Sequence, residues 1–142
     1  MSQIIRDITE IARCGVQYQS EAFADIGLKS CHTSYLLEIC AHPGISQDKL
    51  ASRICFNKSS IARQAAALEE NGFIRRIPSP EDKRVMELYP TQKTLDMLPQ
   101  IQRRLDGWEQ LLTQNLSGEE AAALEALLLR MHTQAAAWME GH

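Results

Sequence analysis

Between Lys49 and Leu68 the chain carries Lys49, Arg53, Lys58 and Arg63 and not one acid. A cluster of that kind breaks no bonds by itself; it attracts anions. Around Lys58 and Arg63 stand Asn57, Ser59, Ser60 and Gln64. Ammonium, guanidinium, hydroxyl and amide groups in one short stretch suit phosphate oxygens and base edges. Further on, Lys83 and Arg84 follow the run Pro78-Ser79-Pro80-Glu81-Asp82. An arginine beside such a loop tip suits a minor groove, where the negative potential favours it. The plain alternative is a solvated helix face followed by a charged surface loop, so the surrounding elements decide between the two.

Those elements read as two short helices and a hairpin. Pro43-Gly44 is a turn signal. Ser46 is placed to cap a first helix, with Leu50, Ala51 and Ile54 on one face. A break follows at Cys55-Phe56. Asn57 is a good N-cap for a second helix over 58–71, whose buried face is Ile61, Ala65 and Leu68, and Gly72 supplies its left-handed end. Two helices joined by about three residues form the helix-turn-helix pattern. The free N–H groups and dipole at the start of the second helix add to its attraction for anions. Residues 73–77 then read as a strand, 78–83 as a tip, and 84–89 as a returning strand led by Arg84 and closed by Pro90.

Here the chain resembles the MarR family of winged-helix transcription regulators. Asp82-Lys83-Arg84, with Leu88 and Thr91 after it, matches the family's wing signature. Leu68-Glu69-Glu70-Asn71-Gly72-Phe73-Ile74-Arg75-Arg76 matches its recognition-helix exit. Tyr89-Pro90 before Thr91 is a departure, since many members have one residue between the leucine and the threonine. The resemblance implies a mainly α fold with a small β-wing, a winged helix-turn-helix flanked by N- and C-terminal dimerisation helices. It implies a DNA-binding regulator, expected to be a repressor that a small effector releases from its operator. Asn57, Lys58, Ser59, Ser60, Arg63 and Gln64 are then the residues expected at the major groove. Lys83 and Arg84 are expected at the minor groove, with Asp82 orienting Arg84 or tying the wing turn.

The flanks agree in element order. Residues 2–25 read as a helix striped by Ile4, Ile8, Ile11, Gly15, Tyr18 and Ala22, closed by Gly27. Residues 30–42 read as a helix with Ser30 as its cap. After Thr91, a good N-cap, Leu95, Leu98, Ile101, Leu105, Trp108 and Leu112 form a stripe to about residue 115. Pro99 predicts a kink within it. Ser117 and Glu120 make a capping box for a last helix to about residue 140. The chain of 142 residues is read as a single domain, with residues 30–90 as the DNA-binding part and 1–27 and 91–142 as dimerisation helices. Three apolar-striped helices exceed what so small a head can cover, which points to a homodimer. A two-fold dimer presents two reading helices to a pseudo-palindromic operator on double-stranded DNA, with half-sites about one turn apart.

Net charge is −3, but it is unevenly spread: residues 46–90 hold eight Lys/Arg against six Asp/Glu, and the rest seven against twelve. That local basic patch on an acidic body fits a reader of DNA with a separate assembly region. No run approaches the ~20 apolar residues of a membrane span. No secretory leader is visible, so a cytoplasmic location is expected.

Other chemistry is thinly represented. Cys14, Cys31, Cys40 and Cys55 show no metal-finger spacing and read as small core residues. The resemblance adds a thiol-sensor alternative at Cys14, near Tyr18 and Tyr35. His32 is a candidate lining residue, with Tyr35, for an effector pocket between the dimer helices and the head. No metal set, cofactor motif or catalytic constellation is present, so neither metal, cofactor nor enzymatic activity is expected. A rival reading is a winged helix that docks a protein and touches no DNA; the acid-free basic run argues against it.

Overall fold

The computed structural model describes residues 2–142. Helix α1 spans Gln3–Ala22, α2 Thr33–Ala41, α3 Gln47–Arg53, α4 Lys58–Glu70, α5 Gln92–Thr113 and α6 Gly118–Glu140. Strands β1 (Ile45–Ser46), β2 (Ile74–Pro78) and β3 (Met86–Pro90) form an antiparallel sheet in the order β1-β3-β2. The architecture is a winged helix-turn-helix carried between long helices.

Local chemistry sets most boundaries. Ser46 accepts from Lys49 N, Asn57 from Ser59 N, Thr91 from Thr94 N and Ser117 from Glu120 N, each a side-chain cap on an orphan helical donor. Glu120 returns the bond to Ser117, completing the capping box. Gly72 ends α4 at φ +80°, a conformation that a Cβ disfavours. Helix α5 runs on through Pro99.

Four boundaries differ from the sequence reading. Helix α1 stops at Ala22, and a 3₁₀ turn over Ala24–Ile26 carries the chain to left-handed Gly27. Ser30 opens a second 3₁₀ turn, Ser30–His32, and does not cap α2. Strand β1 pairs Ile45 with Leu88 and Ser46 with Glu87, adding a third strand to the expected hairpin. The returning strand starts at Met86, not Arg84. Val85 N donates to Asp82 O at 2.9 Å, which folds residues 82–85 into the tip turn and puts Arg84 within it. Proline ends both strands, where a missing N–H costs no ladder bond: β2 pairs Ile74 with Pro90 and Pro78 with Met86.

The core lies in the head. Leu36 and Ile39 of α2, Leu50 of α3, Ile61 and Leu68 of α4 and Leu88 of β3 are fully buried together. From α5, Ile101 joins them. Helix α1 buries only Gly15, against Trp108, where an added Cβ would stand 3.3 Å from the indole nitrogen. Trp108 also stacks on Tyr18 with ring centroids 4.9 Å apart. Arg104 ties α5 to the 3₁₀ turn after α1 by a paired guanidinium–carboxylate contact with Asp25 at 2.7 and 3.0 Å. Helix α6 buries no residue within the chain.

Candidate nucleic-acid interface

Helix α4 is held from behind by Ile61, Ala65 and Leu68, so its opposite face is free. Lys58, Ser59 and Arg63 are exposed on it, and Ser60 and Gln64 are half-buried along its edge. Among the described residues no carboxylate lies within ion-pair distance of Lys58, Arg63 or Lys83. These three cations therefore have their charge unspent.

Arg53, Arg75 and Arg76 of the head are engaged, while exposed Lys49 on α3 also has no ion-pair partner among the described residues. Arg53 on α3 is paired with Glu38, and its Nη2 lies 2.8 Å from His42 Nε2. Arg76 pairs with Glu69 at 3.1 Å, and Arg75 lies over the Tyr89 ring, 5.8 Å from its centroid. The acid-free run of sequence is thus not acid-free in space: Glu38, fifteen residues away, meets Arg53.

Asn57 organises the helix start. Its Oδ1 accepts from Ser59 N at 2.8 Å and from Ser59 Oγ at 2.7 Å. Ser60 Oγ donates to Asn57 O at 3.1 Å. Both serine hydroxyl protons are therefore committed, and what the two side chains offer outward is lone pairs. Asn57 itself spends its oxygen on the cap.

The wing tip is ordered by one carboxylate. Asp82 Oδ1 accepts from Arg84 N and Nε, each at 3.1 Å, and Oδ2 accepts from Nη2 at 3.2 Å. Asp82 thus both orients Arg84 and ties the turn. The hydrogen bonds from Arg84 hold its carboxyl below the usual range. The Arg84 side chain is 91% exposed, so the guanidinium is aimed without being covered.

Of the residues expected to serve an effector or redox site, His32 and Tyr35 meet edge-on with ring centroids 6.3 Å apart, while Cys14 stands apart on α1. Cys14 is exposed on α1. Tyr18 faces Trp108 and donates to Arg104 O at 2.9 Å. Tyr35 is fully buried, tilted on Phe56 with centroids 4.9 Å apart, and its hydroxyl has no partner among the described residues. Burial pushes that phenol up to about 12, and the thiol acting on it is Cys31. His32 is also buried and contacts Gln64. Two cavities, of about 670 and 950 Å³, are lined by other residues. The smaller lies between Phe56, Asn57 and Lys58 and the end of α6 at Trp138. The larger is an apolar cleft between α1, α5 and α6.

Sequence reasoning missed two features here. Cys55 adopts φ +57° at the end of α3, where Phe56 N donates back to Ala51 O and Cys55 N to Ser52 O. This is a helix-ending turn that normally takes glycine. Its Sγ lies 3.6 Å from His132 Nε2 of α6. The Glu38–His42 spacing of four was the visible signal for the Arg53 cluster; nothing local marked Cys55.

Comparisons with known proteins agree with this geometry. The model of the MarR family matches residues 30–86. An uncharacterised HTH-type transcriptional regulator of Bacillus subtilis, YybA, is 32% identical, over 92% of this chain and 87% of the relative. The crystal structure of the transcriptional regulator SlyA is 32% identical and superposes with a TM-score of 0.92 over 98% of both chains. A MarR family regulator from Listeria monocytogenes, solved in complex with a 26mer DNA, is 27% identical with a TM-score of 0.91, over 98% of this chain and 93% of that one. These matches are to transcriptional regulators, not enzymes. No helix among the described residues is long and apolar enough to cross a membrane. With a winged helix, free cations on its second helix and an arginine-tipped wing, this chain belongs to the MarR family of DNA-binding transcription regulators.

Proposed function

We propose that the chain acts as a homodimeric repressor, bound to a pseudo-palindromic operator and released by a small ligand. Lys58 and Arg63 clamp phosphates or reach base edges from α4. Ser59, Ser60 and Gln64 read or brace there, and Lys83 and Arg84 engage the adjacent minor groove. Residues 1–27 and 91–142 supply the dimer helices, and residues 30–90 the reading head.

The observation that carries this reading is the division among the head's cations. Arg53 and Arg76 are paired, while Lys58, Arg63 and Lys83, with Lys49 on α3, are not, and the exposed Arg84 is held by its own Asp82. Support for ligand release lies behind α4: Tyr35 meets Phe56 at its start, and His32 meets Gln64 nearly two turns later. A ligand that repacks the start of α2 therefore acts on α4 directly.

The test is fluorescence anisotropy of a labelled duplex titrated at several salt concentrations. Log affinity should fall linearly with log salt, since phosphate contacts release counterions. Affinity that ignores salt, or no binding in dilute buffer, overturns the reading in favour of a protein-docking winged helix.

A further inference from the structure

Gln64 lies on the flank of α4 that faces α2, next to exposed Arg63. Its Oε1 is 2.7 Å from Nε2 of His32. His32 is 3% exposed, with its ring edge-on to Tyr35 at 6.3 Å between centroids. An amide oxygen has no proton to give, so at this distance the ring donates from Nε2 and the amide accepts. The ring cannot turn away cheaply: it is enclosed, and its donor would be left buried without a partner.

We propose that His32 is a positioning residue for base reading. By holding the Gln64 oxygen toward α2, it turns the amide so that its N–H pair leads toward DNA, and this position favours a base with acceptors on its major-groove edge. The inference rests on α4 being the helix that enters the groove.

The chemistry follows from what a glutamine ordinarily does. A free amide pairs with adenine in two ways at once, donating to N7 and accepting from the N6 amino group. With its oxygen turned to the buried ring, the second lone pair of that oxygen is drawn away from the groove edge, and the bidentate fit to adenine is weakened. Adenine's amino group then faces a donor, and so does the N4 amino group of cytosine. Guanine presents N7 and O6, both acceptors, and suits the remaining N–H pair. A buried histidine that never touches the duplex thus sets which purine is read. It also separates roles along α4: lone pairs from Ser59 and Ser60 at the start, donors from Arg63 and Gln64 further on.

The test is selection from a pool of randomised duplexes by the full-length protein, followed by sequencing of the bound fraction. Gln64→Ala should erase the preference at one position of each half-site, where the wild type favours guanine. His32→Phe, which keeps ring volume without a donor, should move that position toward adenine by on the order of fivefold, leaving the other positions unchanged. His32→Gln, which restores an N–H donor, should return it to guanine. An unaltered preference in His32→Phe overturns the role of His32 while leaving Gln64 as a reader. Unaltered preferences in Gln64→Ala overturn both roles, and no enrichment by the wild type overturns DNA reading itself. A direct measurement needs no variant: the ¹⁵N spectrum of His32 in the wild type should show the proton on Nε2, and a proton on Nδ1 alone overturns the proposal.

Discussion

The head and the terminal helices carry the same sequence signal and use it differently. In α4 the apolar positions Ile61, Ala65 and Leu68 are all buried by the chain itself. In α1 and α6 comparable stripes lie bare: Ile4 is 60% exposed, Leu129 63% and Trp138 61%. A helical stripe says only that a face will be covered, not by what. The head closes on itself because three helices and a sheet converge on it. The long helices diverge from it, and between them lies an apolar cleft of about 950 Å³. The contrast teaches that this chain covers its apolar surface at the centre and leaves it bare at the ends, which is the surface the proposed homodimer would use.

The strongest way to break that comparison is to charge the open end. Leu128 lines the cleft and is half-exposed. Leu128→Glu should turn the proposed dimer into monomers on size exclusion with light scattering. Affinity for a two-half-site duplex should then fall on the order of a hundredfold or more, because two heads no longer bind as one linked unit. A variant that stays dimeric with full affinity places the interface elsewhere.

The closed end should respond in stability instead. Leu68 is fully buried in α4. Leu68→Ala should cost about 3 kcal/mol in urea unfolding, from lost transfer energy and the cavity left behind. A loss under about 1 kcal/mol would mean the head is looser than its burial indicates.

A third test separates the two ends by function. Arg63→Ala should weaken operator binding by about 1–3 kcal/mol if the guanidinium reaches a base edge, and leave the dimer intact. Arg84→Ala should also weaken operator binding without altering assembly, read by gel shift. Equal losses on random duplex would assign Arg63 to phosphate. An unchanged affinity in Arg84→Ala removes the wing from the contact.

The sequence showed what is local and hid what is not. Caps at Ser46, Asn57, Thr91 and Ser117 were legible because each depends on three or four neighbouring residues. The family's wing and helix-exit motifs were legible for the same reason. Strand β1 was not: two residues between a turn and a cap leave no alternation to detect. Arg84 was placed one element too late because the turn over 82–85 depends on a backbone bond, Val85 N to Asp82 O, that composition does not encode. The neutralisation of Arg53 by Glu38 and the grip of His32 on Gln64 join residues far apart in the chain. Only packing reveals such pairs, and they alter which polar groups remain available to DNA.

The smallest effect concerns the seam where α4 leaves the head for the wing. Glu69 Oε2 accepts from Arg76 N at 2.8 Å, and its Oε1 meets the Arg76 guanidinium at 3.1 Å. The backbone N–H of Arg76, then its guanidinium, holds the Glu69 carboxyl below its ordinary value of 4.5. In the unfolded chain the carboxylate takes up its proton first as pH falls. Its contribution to stability is therefore complete above 4.5 and is lost as pH drops through the lower folded value. Glu69→Gln keeps an oxygen for the Arg76 N–H but cannot ionise. The difference in thermal midpoint between wild type and this variant should be flat above about pH 5.5 and shrink below it. Asp25 and Asp82 are also depressed, by Arg104 and Arg84, but they titrate in both proteins and cancel. A midpoint difference that stays constant down to about pH 3 would show that the closed end of the molecule does not depend on this ion pair. The seam would then be held by the backbone bond alone.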